Sequence, residues 1–211
     1  MTEHASGNET KTETKRPRGR PRADIDPGAL ADAVADLFAA GGEDAVTIPD
    51  AAEKLGVSRA TLYRTVPTRE HLMGVLFERS TRELTDDALR IIDEVDGPGD
   101  QLSRLVDLLT RAAVRMRRYM PVFFGGGDLP SDVVARWRGF AHNFEDLWVH
   151  VVKRAMDAGE LAVADPVITT RLLIGQCLWV SRWYRPSEPY DVDQIANAAV
   201  QLLPITQTSK S

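Results

Sequence analysis

The chain has 211 residues, 43% of them hydrophobic and 27% charged, the balance of an ordinary globular protein with room for one or two compact units. No apolar run approaches the ~18 residues that a membrane span needs, and the polar, basic N-terminus lacks the apolar stretch of a secretory signal. Cys177 is the single cysteine, which excludes an internal disulfide and a multi-cysteine metal site. With no signal and no disulfide framework the chain reads as cytoplasmic. The net charge of −5 hides an asymmetry, because residues 1–22 sum to +3 and the remainder to −8. Local field, not net charge, governs attraction to phosphate.

Residues 1–22 are rich in Thr, Glu, Lys and Arg and carry nothing to bury, a composition that predicts a disordered arm. Asp26-Pro27 pairs a capping residue with one suited to the first helical position. Leu30, Val34, Leu37 and Phe38 follow at helical spacing until Gly41-Gly42. Ile48–Leu55 reads as a short helix, Gly56-Val57 as a break, and Ser58 as the cap of a second short helix ending near Thr65. Pro67-Thr68 restarts the chain as a longer helix carrying Leu72, Val75, Leu76, Leu84 and Ala88.

Asp93–Asp100 reads as an acidic loop. Beyond it Leu102, Leu105, Leu109, Ala112 and Met116 form one helical stripe, interrupted by Pro121 and Gly125–Gly127. A long helix is predicted from Ser131 to Ala158, and Asp165-Pro166 repeats the earlier start signal for a helix to Tyr184. Asp191 caps a last helix bearing Val192, Ile195, Ala199 and Leu202. No strand-like alternation and no internal repeat appear, so the predicted fold is all-α.

The segment with the most chemical content is Thr47 to Thr65. Two short helices that cross tightly need small residues at the crossing, which Ala51 and Ala52 supply, and Gly56 tolerates the positive φ of the turn between them. Val57 fills the gap, and Leu62 seats the second helix on the core. Ser58, Arg59, Ala60, Thr61, Tyr63 and Arg64 are then left on its N-terminal end and outer face, where a core helix would want apolar residues. Such a face suits the DNA major groove. Arg59 and Arg64 suit guanine edges or phosphates, Thr61 a thymine methyl or a phosphate, and Tyr63 a phosphate oxygen. An unspecialised pair of packed helices would also show a small crossing and a Gly cap; the full combination favours a helix-turn-helix.

Thr47 through Leu72 resembles the DNA-binding signature of TetR/AcrR-type transcriptional regulators, in which a Gly-Val-Ser turn precedes a Thr-Leu-Tyr recognition helix. The segment Thr65-Val66-Pro67-Thr68-Arg69-Glu70-His71-Leu72 and the earlier helix with Phe38 and Gly42 fit it too. Val66 stands where most members carry Phe, and Arg69 where most carry Lys. The resemblance implies that Thr47 and the recognition helix face DNA and that Arg69 keeps a phosphate-binding charge at a helix N-terminus. It also implies a plan of four parts: a disordered basic arm (1–22), a three-helix DNA-binding domain (23–85), a helical ligand-sensing and dimerisation domain (86–205) and a short disordered tail (206–211).

Lys15 to Arg22 holds five cations and no acid. Arg18-Gly19-Arg20-Pro21 resembles the core of an AT-hook, in which Gly19 would press the backbone into an A·T minor groove while Arg18 and Arg20 project along it. A solvated tail attracting phosphates generally is the other reading; either steepens the salt dependence of DNA binding.

For the larger domain the resemblance implies two tasks. The helices over 166–184 and 191–203 are apolar on more than one face, which fits a central position in a monomeric bundle or pairing with a second chain. The resemblance favours a homodimer through these last two helices, with Leu172, Trp179, Trp183, Ile195, Ala199 and Leu202 at the interface. A two-fold dimer implies a pseudo-palindromic, double-stranded DNA operator. Met116, Met120, Phe123, Phe124, Trp137, Phe140, Phe144 and Trp148 concentrate soft and aromatic side chains in the middle of the chain. Each fits an ordinary core position; together they are the candidate pocket for a small, largely apolar effector that releases a repressor from its operator.

An enzyme is not indicated. His4, His71, His142 and His150 have no metal-ligand spacing, Gly125–Gly127 has no following Lys as a phosphate loop requires, and the acidic residues fit solvated faces. No cofactor is implied. A helical protein–protein adaptor with a basic tail is the competing non-enzymatic reading.

Overall fold

A short acceptor side chain starts most of the helices. Asp26 accepts a hydrogen bond from the Ala29 N–H at 2.9 Å, Pro27 takes the first helical position, and α1 runs Pro27–Gly41. Gly42, at φ +71°, ends it. A single 3₁₀ turn, Glu43–Ala45, leads to α2 (Ile48–Lys54), capped by Thr47. Gly56, at φ +64°, reverses the chain into α3 (Arg59–Thr65), capped by Ser58. Then come α4 (Arg69–Glu94), α5 (Pro98–Met116), α6 (Ser131–Asp157), α7 (Pro166–Trp183) and α8 (Val192–Gln201). Asp165 caps α7, and Asp191 with Gln194 forms a reciprocal capping box on α8.

The computed structural model describes residues 25–118, 120 and 129–205. Among these every regular element is helical. The arm of residues 1–22, Phe123, Phe124, the Gly125–Gly127 triplet and the tail 206–211 lie outside the described residues.

The structure corrects one sequence expectation and locates another. The predicted loop Asp93–Asp100 shrinks to residues 95–97, because α4 continues to Glu94 and α5 begins at Pro98. Gly97, at φ +82° directly before a proline suited to a helix start, makes the reversal in that short span. The boundary drawn at residue 85 falls inside α4, so one unbroken helix belongs to both units.

One apolar core runs through both. Val34, Phe38, Ala51, Ala52, Leu62 and Leu72 close the N-terminal unit, and Leu102, Leu105, Leu109, Trp148, Val151 and Val152 close the larger one. The strongly amphipathic α5 is central, packing against α4, α6, α7 and α8. Cys177 lies against it, fully buried, and burial pushes its thiol up to about 11. A thiol held protonated in this way is a packing residue.

Candidate nucleic-acid interface and effector cavity

The candidate reading helix is α3. Only Leu62 is buried in it, at 0% exposure, while Arg59, Ala60, Tyr63 and Arg64 stand in solvent. Ser58 Oγ accepts from the Thr61 N–H at 3.1 Å and shares a hydrogen bond with Thr61 Oγ1 at 2.8 Å. The Arg64 guanidinium reaches the same Thr61 hydroxyl at 3.4 Å. Three hydroxyl or guanidinium groups therefore line one side of the helix in mutual contact. The Arg59 side chain makes no hydrogen bond or ion pair to any described residue, and the segment Ser58–Thr65 contains no acid. Thr47 is engaged locally: its hydroxyl caps the Asp50 N–H at 3.2 Å and donates to the Asp50 carboxylate at 2.6 Å.

Arg69 differs from expectation. Its Nε donates to the Val46 carbonyl at 3.1 Å and its terminal nitrogen to the Glu43 carbonyl at 2.6 Å, with the Glu43 carboxylate 3.4 Å away. The guanidinium fork is spent on the 3₁₀ turn and ties it to the first turn of α4. Arg69 therefore has a structural role that its place in the sequence did not show. The reason is geometric: the Glu43 carbonyl, which already accepts the Val46 N–H, and the Val46 carbonyl present an acceptor pair that a planar fork matches.

A second feature lies in the larger unit. A cavity of about 260 Å³ is walled by α4, α5, α6 and α7 together with Met120. Met116, Met120, Trp137, Phe140 and Phe144 line it, as do Phe77, Leu84, Ile174 and Leu178. Phe140 stacks on Phe144 with ring centres 5.3 Å apart, and Phe77 meets Phe140 edge-on at 6.2 Å. Trp148 is not part of the wall. It sits one turn beyond Phe144, fully buried, its ring tilted against Phe144 at 6.2 Å. The helical stripe placed it on the correct face but too deep.

The cavity touches the reading unit through a clamp between α4 and α6. A Cβ added at Gly74 would lie 3.1 Å from Val133 Cγ2, so the two helices meet there with no room to spare. On one side His71 Nε2 faces Asp132 Oδ1 at 3.4 Å, and on the other Arg136 pairs with Glu78. Arg136 also binds Asp132 at 2.9 Å, closing the network. One and two turns further along α6 come Phe140 and Phe144 of the cavity.

Two family models match this chain. Residues 30–75 fit the model described as bacterial regulatory proteins of the tetR family, and residues 95–204 fit the tetracyclin repressor-like C-terminal domain. The chain belongs to the TetR family. It is a DNA-binding transcriptional regulator whose family domains divide at α4. Among its relatives is the HTH-type transcriptional repressor KstR2 of Mycolicibacterium smegmatis, 24% identical over 182 residues, covering 82% of this chain and 87% of that protein. A TetR/AcrR-family regulator from Thermobifida fusca superposes with a TM-score of 0.76 at 19% identity, over 88% of this chain and 98% of the other. AibR, solved in complex with isovaleryl coenzyme A and operator DNA, superposes with a TM-score of 0.67 at 17% identity, over 85% and 99% of the two chains. Among the described residues of this TetR-family chain no helix is long and apolar enough to cross a membrane.

The surface of α7 and α8 carries the remaining predicted positions. Leu172 and Leu202 are each 70% exposed and Trp179 65%, large apolar side chains that a lone chain leaves in water. Trp179, Trp183 and Leu202 line a groove of about 370 Å³ between the two helices. Ile195 and Ala199 also line it, yet both are buried within the chain. They form the groove floor, where Ile195 packs with Val114, Val180 and Tyr184.

Sequence reasoning missed Gly74 and Glu78 and did not single out the roles of Arg136 and Glu145. The first three form the clamp and the last is the charged member of the cavity wall. A glycine inside an otherwise helical pattern, with no cap role to fill, was a signal available at Gly74.

Proposed function

We propose that the chain is a homodimeric repressor that reads a pseudo-palindromic operator with α3 and leaves it when a small, largely apolar effector fills the cavity. The observation that carries this reading is the state of α3. It is anchored by Leu62 alone and presents Arg59, Thr61, Tyr63 and Arg64 outward with no acid among them. A helix so exposed contributes little to its own fold, and its polar face fits major-groove edges and flanking phosphates.

Dimerisation follows from the exposed apolar groove of α7 and α8, which a second copy would cover on both faces at once. The KstR2 relative bears the name of a repressor, and AibR was captured with both an acyl thioester and its operator; both support a repressor with an effector. The switch is a population shift: effector must bind better to a conformation whose two reading helices are misspaced. The clamp at Gly74 and Val133 is the route, since α6 carries cavity aromatics and clamp residues on one rod. Arg18 and Arg20 extend the footprint along the backbone or the minor groove.

Genomic footprinting of the protein followed by fluorescence anisotropy on the recovered site tests the reading. Arg59→Ala is expected to weaken specific binding by about 1–3 kcal/mol, with thermal stability unchanged within about 0.5 kcal/mol. Removing residues 1–22 is expected to flatten the salt dependence. Operator affinity indifferent to Arg59 would remove α3 from the interface.

A further inference from the structure

We infer that Glu145 sets the chemistry of the effector's polar end, admitting a compact apolar molecule that ends in a hydrogen-bond donor, a hydroxyl or an amine, and turning away one that ends in a free carboxylate. This rests on the reading of the cavity as the effector site. Among the described residues Glu145 is the only ionisable side chain in the wall. An ionised carboxylate accepts hydrogen bonds and donates none.

The structure fixes that carboxylate from behind. Arg171, on α7, donates from Nε to both Glu145 oxygens at 3.1 and 3.2 Å and from a terminal nitrogen to Oε1 at 2.9 Å. Arg171 does not line the cavity and its side chain is 67% exposed, whereas that of Glu145 is 25% exposed. The guanidinium thus binds the carboxylate from the solvent side and leaves its other side to the cavity. Oε2 receives only the longer branch of a shared Nε contact, so it keeps acceptor capacity for a ligand.

Glu145 directly follows Phe144 on α6, whose ring stacks on Phe140. An effector body lying on those rings places its end beside the carboxylate. A carboxylate there would meet like charge in an apolar enclosure, where repulsion is poorly screened. A hydroxyl or ammonium group would complete the acceptor's unused capacity.

The experiment compares decanol, decylamine and decanoate, which share one chain and differ at the head. Binding to the full-length protein is read from tryptophan fluorescence, since Trp137 lines the cavity, and operator release is read separately by anisotropy. Wild-type protein is expected to bind decanoate about tenfold more weakly than the other two. Glu145→Gln keeps the shape and removes the charge, so it is expected to close that gap chiefly by admitting decanoate. An acid that merely staples α6 to α7 would alter the melting temperature on substitution and leave the head-group order alone. Decanoate binding as tightly as decanol to the wild type overturns the inference without need of any variant, and so does an unchanged order in Glu145→Gln. Failure of all three probes to bind overturns the cavity reading itself, a distinct result.

Discussion

The outer face of α3 and the wall of the cavity use side chains in opposite ways. On α3 the functional groups are polar, exposed and detached from the core, and one buried leucine holds the whole helix in place. In the cavity the functional groups are the core: Phe77, Phe140 and Met116 pack the domain and line the space between helices. Function and stability should therefore come apart on α3 and stay mixed in the cavity.

The sharpest way to break that comparison is at Leu62. Leu62→Ala removes the one buried anchor of α3, and large-to-small changes at such sites cost about 2–5 kcal/mol. Denaturant unfolding should show a loss in that range, and operator affinity should fall with it. The neighbouring Arg59→Ala should do the converse, sparing stability and weakening the operator complex. Were Leu62→Ala to unfold like the wild type, α3 would be held by something other than its apolar seat.

The same contrast explains which parts could be read in advance. Caps at Asp26, Thr47, Ser58, Asp165 and Asp191 are local, each a side chain accepting from a backbone N–H three residues on, so the sequence shows them directly. The exposed character of α3 is equally legible, since polar residues interrupt an apolar period. Arg69 was not legible, because its acceptors are carbonyls 23 and 26 residues earlier in the chain. Trp148 shows a related limit: a helical stripe tells which face a residue is on, not whether it borders a space or fills one. Ile195 and Ala199 are buried within the chain as well as lining the groove, a double position that an apolar helix face does not reveal.

A smaller effect is expected at the clamp. Gly74→Ala should gain about 1 kcal/mol from helix propensity and lose a similar amount by driving a methyl toward Val133. Stability should change little. The displaced start of α6 should nevertheless alter operator affinity or effector response, because α6 joins the clamp to the cavity. Adding Val133→Ala makes room for the methyl and should restore both. If Gly74→Ala repressed and released like the wild type, the route from cavity to α3 would have to bypass this contact.

The smallest effect is electrostatic and lies in acid. Arg136, hydrogen-bonded to Asp132, holds the Asp132 carboxyl below its usual range, and His71 faces the same carboxylate. A carboxylate whose folded value is lowered contributes stability above the unfolded value of about 3.9, and that contribution is lost as pH falls through the folded value. Across that acid window Asp132 gains a proton and releases Arg136 and His71. Melting temperatures measured on acidification should therefore fall slightly more steeply for the wild type than for Asp132→Asn. The site is exposed and salt screens it, so the difference should shrink as salt is added. Parallel acid profiles at low salt would mean that the clamp is held by the Gly74–Val133 contact alone, leaving its charges as surface decoration.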